Sequence, residues 1–138
     1  MEEDSAPRTY RFALSLCLRH PSARVGDISA ALGREPMSAW TVGDKMTHSE
    51  HLHWSTYWCE RIPHDDSAEL SDALWKGVTA LQPHRKILRD FASTGGKIYF
   101  SVGWFTTTKS GGDTLTAELL GRLADLRIGL EFDVYGNE

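Results

Sequence analysis

The sequence predicts an α+β fold, a five-stranded mostly antiparallel mixed sheet with helices on one face. Three observations lead there. Stretches of period two alternate with stretches of helical period, in the order β-α-β-β-α-α-β-α-β. Every predicted strand has one clearly apolar face, which is what cover by helices on one side requires. Strands and helices are mixed along the chain with one hairpin, the pattern of an α+β sandwich.

Residues 1–8 read as a flexible terminus, and 9–138 as a single domain. The first strand, YRFALSLCL, places Tyr10, Phe12, Leu14, Leu16 and Leu18 on one face. His20-Pro21-Ser22 ends it. In VGDISAALGREP, Asp27 is the expected N-cap, Ile28, Ala31 and Leu32 form a short stripe, and Gly33 with Pro36 stops the helix. MSAWTV (37–42) and HLHWSTYWCERI (51–62) are the next two strands, separated by a polar loop. Asp66 and Glu69 have the spacing of a capping box. Leu70, Leu74, Val78 and Leu81 then form a helical stripe that Pro83 interrupts. Ile87, Leu88 and Phe91 continue on a second helix that Gly95-Gly96 ends. KIYFSVGWFTT (97–107) is a strand and KSGGD a turn. Asp113 or Thr114 should cap the helix carrying Leu115, Leu119, Leu123 and Leu126, before the closing strand IGLEFDVY.

The chain echoes itself. An offset of 86 residues separates Phe12 from Ile98 and Gly26-Asp27 from Gly112-Asp113. Two βαβ halves related in this way would give a ferredoxin-like sheet with a pseudo-twofold.

Composition bounds the function. A chain of 138 residues can bury one core without disulfides or metal. Its net charge of −4 argues against nonspecific nucleic-acid binding, which needs a Lys/Arg excess, and suits a basic partner. No segment approaches the ~20 apolar residues of a membrane span. The acidic start MEEDSAPRTY does not read as a secretory signal, so a cytoplasmic location is expected. Cys17 and Cys59 should then be free thiols, Cys17 buried in an apolar run.

The densest chemistry lies in HSEHLHWSTYWCERIPHDD (48–66). His48, His51 and His53 are the candidate metal ligands. They form no H-E-x-x-H or C-x-x-C pair, and Cys59 lies about 20 Å along the strand from His53. A metal there is a weak alternative to solvated loop histidines. Cys59 lacks a helix N-terminus to stabilise a thiolate. STGGK (93–97) has the wrong element order for a phosphate loop. No motif nominates a catalytic residue or a cofactor. Exposed strand tryptophans and a charged strand edge are instead common interface elements. This makes Trp54, Trp58, Glu131, Asp133 and Tyr135 the candidate binding residues.

The alternating first strand, the helix ending Leu32-Gly33 before Pro36, Trp54-Ser55-Thr56, and the helix with Leu70, Leu74 and Leu81-x-Pro83 form a wider pattern. TLTAELLGRLADLRIGLEFDVY completes it. Over about residues 9–135 this resembles the bacterial family catalogued as domain of unknown function 4279. The resemblance implies a small cytoplasmic bacterial protein, with members suspected of acting as immunity proteins beside toxins. It carries over no catalytic residue, and Thr47–His53 lies outside its pattern.

The expectation is a non-enzymatic protein-binding domain, an immunity protein whose partner is a basic toxin. The alternatives are a small-ligand-binding domain or small enzyme with a groove beside the sheet, and a structural homodimer through an exposed sheet face. The chain is thus expected as a monomer or homodimer, without nucleic acid or membrane.

Overall fold

The structure, a computed structural model, describes residues 9–106 and 112–136. The expected flexible terminus and most of the KSGGD turn lie outside them. Strand β1 spans Tyr10–His20, helix α1 Val25–Leu32, β2 Ser38–Trp40 and β3 Thr56–Ile62. Helix α2 spans Leu70–Leu81, and a 3-10 turn, Gln82–His84, leads into α3, Arg85–Ser93. Strand β4, Lys97–Thr106, α4, Ala117–Asp125, and β5, Ile128–Tyr135, complete the chain. The element order is the one expected, and the fold is α+β with a five-stranded mixed sheet.

The strand order is β2-β3-β1-β4-β5. β1 pairs antiparallel with β3 and β4, β2 antiparallel with β3, and β4 parallel with β5. The two echoing halves are placed differently: β3 separates β1 from β2, while β4 and β5 pair directly.

One face of the sheet makes the core. Leu14, Leu16 and Leu18 of β1, Trp58 of β3, Phe100 and Val102 of β4 and Ile128 of β5 meet Ile28, Leu74, Leu88 and Leu119 of the helices. In β1, β3, β4 and β5 the even-numbered positions face this core, and in β2 it is Ala39, the partner of Trp58, that does so. Gly77 lets α2 lie against Phe100, whose ring carbon would be 3.0 Å from an added Cβ.

Helix starts depart most from expectation. The expected capping box is not formed: α2 begins at Leu70, with Glu69 at the N-cap position and no side-chain cap bond. The exposed amides are met from elsewhere in the chain. Leu70 N–H donates to the Tyr10 hydroxyl (3.0 Å), and Ser71 N–H to Asp113 Oδ2 (2.8 Å). Asp113 therefore does not cap α4. Thr116 does, accepting from Leu119 N–H at 3.1 Å. Asp27 lies within the first turn of α1 rather than at its N-cap, and Thr41 Oγ1 receives Val25 N–H at 3.1 Å. Gly33 ends α1 in the left-handed region expected of it (φ 66°).

The two shortest strands are shorter than the sequence pattern predicts. β2 keeps only Ser38–Trp40, and β3 begins at Thr56. Residues 43–53 instead fold into a small hairpin. Gly43 N–H donates to His53 O, His53 N–H to Asp44 O and Met46 N–H to His51 O. A strand pattern seen without its neighbours cannot say where pairing stops.

Candidate functional site

Helices cover the even-numbered face. The other face carries Arg11, Ala13, Ser15, Cys17 and Arg19 of β1, with Tyr57, Cys59 and Arg61 of β3. β4 adds Lys97, Tyr99, Ser101, Gly103 and Phe105, and β5 adds Glu131, Asp133 and Tyr135. Arg11, Arg19, Arg61, Lys97, Glu131 and Asp133 are exposed there. The middle of the face is lined by small residues.

Cys17 and Cys59 are direct cross-strand partners, with sulfurs 3.5 Å apart. Both are buried although they lie on the open face. Tyr57 hydroxyl is 3.8 Å from Cys17 Sγ, and Tyr99 is the cross-strand partner of Cys17 on its other side. Burial, with the hydrogen bond and charge of Cys59, pushes the Cys17 thiol up to about 12. Burial likewise raises the Tyr57 phenol. These are protonated side chains at neutral pH, and Cys17 is a poor nucleophile. Their meeting was invisible in the sequence, because the β1–β3 register sets it. The expected free thiols are present.

The histidines divide by role. His20 is buried, and its Nδ1 accepts Ser22 N–H (3.0 Å) and Ala23 N–H (2.9 Å). The proton therefore sits on Nε2, which donates to Thr94 Oγ1 at 2.8 Å. His64 stacks on Phe12 and contacts Phe12 O through Nε2 at 2.9 Å, past the end of the β1–β3 ladder. His53 stacks on Trp40, ring centroids 4.2 Å apart. His48 and His51 belong to the hairpin. No three His, Cys, Asp or Glu side chains among the described residues come together as metal ligands. The weak alternative His48/His51/His53 is thus not assembled.

His20 makes stability depend on pH. Burial lowers its pKa from the ordinary value of 6.5. The unfolded chain therefore takes up the proton at higher pH than the folded one. His20 contributes its full stability above about pH 6.5 and loses it as pH falls from there toward the folded pKa. We expect stability to fall by up to about 1.4 kcal/mol per pH unit in this window. His20→Gln should flatten that slope. Denaturation curves of both proteins between pH 7.5 and 5 check it, and parallel slopes would refute it.

The binding candidates are scattered. Trp54 is 86% exposed, directly after the hairpin. Trp58 is a correction: it is fully buried, and its indole N–H donates to Ser29 Oγ at 3.0 Å, so it serves the core and touches no surface. Alternation placed Trp54 and Trp58 together, but Trp54 precedes β3 and only Trp58 follows its pleat. Glu131, Asp133 and Tyr135 are exposed on β5 at the opposite edge of the sheet. Strands β3, β1 and β4 separate them from Trp54, a gap of about 15–19 Å.

Sequence reading missed a groove between α1 and α3. It has a volume of about 330 Å³ and an almost wholly apolar lining that includes Leu18, Ile28, Leu32, Leu88 and Phe91. His20 and Thr94 border it. The pattern of each helix reports its buried stripe, not the gap two stripes leave. No helix among the described residues is long and apolar enough to cross a membrane.

The sequence model of a family described as "Domain of unknown function (DUF4279)" matches residues 8–137. No curated protein and no solved structure matches the chain.

Proposed function

The chain belongs to the DUF4279 family of domains of unknown function, and from that premise we propose that it is a non-enzymatic protein-binding domain. In this reading it is a bacterial, cytoplasmic immunity protein that blocks a basic toxin by direct contact. Trp54 carries the reading. A tryptophan left 86% exposed beside a hydrogen-bonded hairpin forgoes a large burial gain, and such residues are the commonest anchors of protein interfaces. Leu52, two residues earlier in the chain, is 59% exposed. The net charge of −4 favours a basic partner. The reactive side chains nearby are engaged otherwise: His53 in stacking, His64 on the β1 backbone, Cys59 with Cys17.

The same reading takes the first four strands as a ferredoxin-like β-α-β-β-α-β unit. The order β2-β3-β1-β4, antiparallel throughout, supports it. The pseudo-twofold would then relate β1 to β4, the elements that keep the 86-residue offset.

Trp54→Ala should leave stability within about 0.5 kcal/mol, because the side chain packs on little. It should weaken capture of a basic partner from the native host by about 30-fold or more, the cost of losing a hot-spot tryptophan. Co-expression of the captured protein should be toxic, and the wild-type chain should relieve it. No partner, or equal capture by the variant, would end this proposal.

A second reading, a small-ligand-binding domain, is favoured by the α1/α3 groove, whose volume is at the lower limit of ligand sites. Lack of saturable binding of an apolar fluorescent probe would remove it.

A further inference from the structure

We propose that the open face of the sheet is a self-complementary surface that receives a second copy of this chain. The registers carry the inference. They align Arg61, Ser15, Ser101 and Glu131 in one row across β3, β1, β4 and β5. Positive charge stands at one end of that row and negative charge at the other, both exposed, and neither residue forms an ion pair among the described residues. Small side chains lie between them, so a facing sheet can approach to about 10 Å.

With the strands of the two copies aligned, two operators bring two such faces together with closed symmetry. An axis perpendicular to the strands sets β5 on β5 and brings Glu131 and Asp133 against their own copies. An axis parallel to the strands, between β1 and β4, sets β3 on β5 and β1 on β4. Arg61 of each copy then faces Glu131 of the other. Ser15 faces Ser101, Ala13 faces Gly103, and Arg11 faces the exposed ring of Phe105. Charge selects the second operator, since like charges across an interface oppose association. Its one like-charge pairing, Arg19 with Lys97, falls at the strand ends. There Arg19 is already turned onto its own Tyr57 ring (4.5 Å), with its Nε donating to Tyr99 hydroxyl (3.4 Å).

The four strands that overlap, β3, β1, β4 and β5, by eight residues cover roughly 19 by 27 Å, about 500 Å² per copy. A total of about 1,000 Å² lies just below the range of stable specific interfaces, so the dimer should be weak and reversible. Trp54 precedes β3 and is not a member of the row that carries the contact.

The test is a charge exchange read by analytical ultracentrifugation from 1 to 500 μM. The wild type should pass from monomer to dimer in this range. Arg61→Glu and Glu131→Arg should each weaken dimerisation at least about tenfold, because either sets like charges face to face at both symmetry-related contacts. The double variant R61E/E131R should dimerise as the wild type does. An equimolar mixture of the two single variants should form a heterodimer. Circular dichroism checks that each variant is folded. A wild type monomeric throughout, a dimer indifferent to the single reversals, or an exchange that fails to restore it would each overturn the proposal.

Discussion

Trp58→Ala should lower the stability of this protein by about 3–5 kcal/mol, the largest effect expected of any single substitution described here. The side chain is fully buried within the core cluster, with Leu18 and Ala39 as its cross-strand neighbours. Truncation opens a cavity beneath α1 and removes the bond from the indole N–H to Ser29 Oγ. A domain of this size has a total stability of about 5–15 kcal/mol, so the variant should retain only part of it. Trp58→Phe keeps much of the packing and loses the N–H, and should cost about 1–2 kcal/mol. Urea denaturation should show the midpoint falling with the slope unchanged. A loss under 1 kcal/mol for the alanine variant would mean that the core can close around the site.

Asp113→Ala should cost about 2–3 kcal/mol, although Asp113 is only partly buried and distant in sequence from what it holds. Its carboxylate accepts Ser71 N–H (2.8 Å), Ser71 Oγ–H (3.2 Å), the Tyr10 hydroxyl (3.2 Å) and Thr114 N–H (2.7 Å). Tyr10 in turn receives Leu70 N–H at 3.0 Å. One carboxylate thus ties the start of α2 to β1 and to the segment leading into α4. Negative charge at this helix N-terminus also opposes the helix dipole favourably. Asp113→Asn keeps an acceptor and should recover about half of the loss. Asp66→Ala is the control. Local sequence makes Asp66 the cap of α2, whereas the structure leaves it exposed and outside the helix, so its removal should cost under about 0.5 kcal/mol. Denaturation curves, with amide exchange at Leu70 and Ser71, separate the two. A larger loss for Asp66→Ala would return the cap to the local motif.

The same contrast runs through the molecule. Alternation in YRFALSLCL was enough to place a central strand and its core-facing residues, because burial follows a repeat that the strand carries in itself; in IGLEFDVY the same repeat places the edge strand β5, where Ile128 is buried but Phe132 and Val134 stay exposed. Leu70, Leu74, Val78 and Leu81 likewise identified α2 and its buried side. Gly33 and Pro83 marked ends because their backbone preferences are intrinsic. Where the controlling group is local, as with Thr116 at α4, the cap is readable to within a few residues.

What the sequence could not contain was the partner of each group. Trp54 and Trp58 look alike in a pattern of alternating residues. One lies before the ladder of β3 and is solvated, while the other is in it and buried. Cys17 meets Cys59, Arg61 shares a row with Glu131, and Asp113 holds α2, all through strand registers and chain returns spanning tens of residues. The sequence by itself determined the class of fold, the order of its elements and the face of each strand that turns inward, since these follow from local periodicity and the cost of leaving apolar surface in water. The tertiary structure alone decided which side chains meet on the open face, which tryptophan stays in solvent and which atoms cap the helices. Those depend on the register between strands distant in the chain, and a shift of one residue would turn every one of these side chains to the other face.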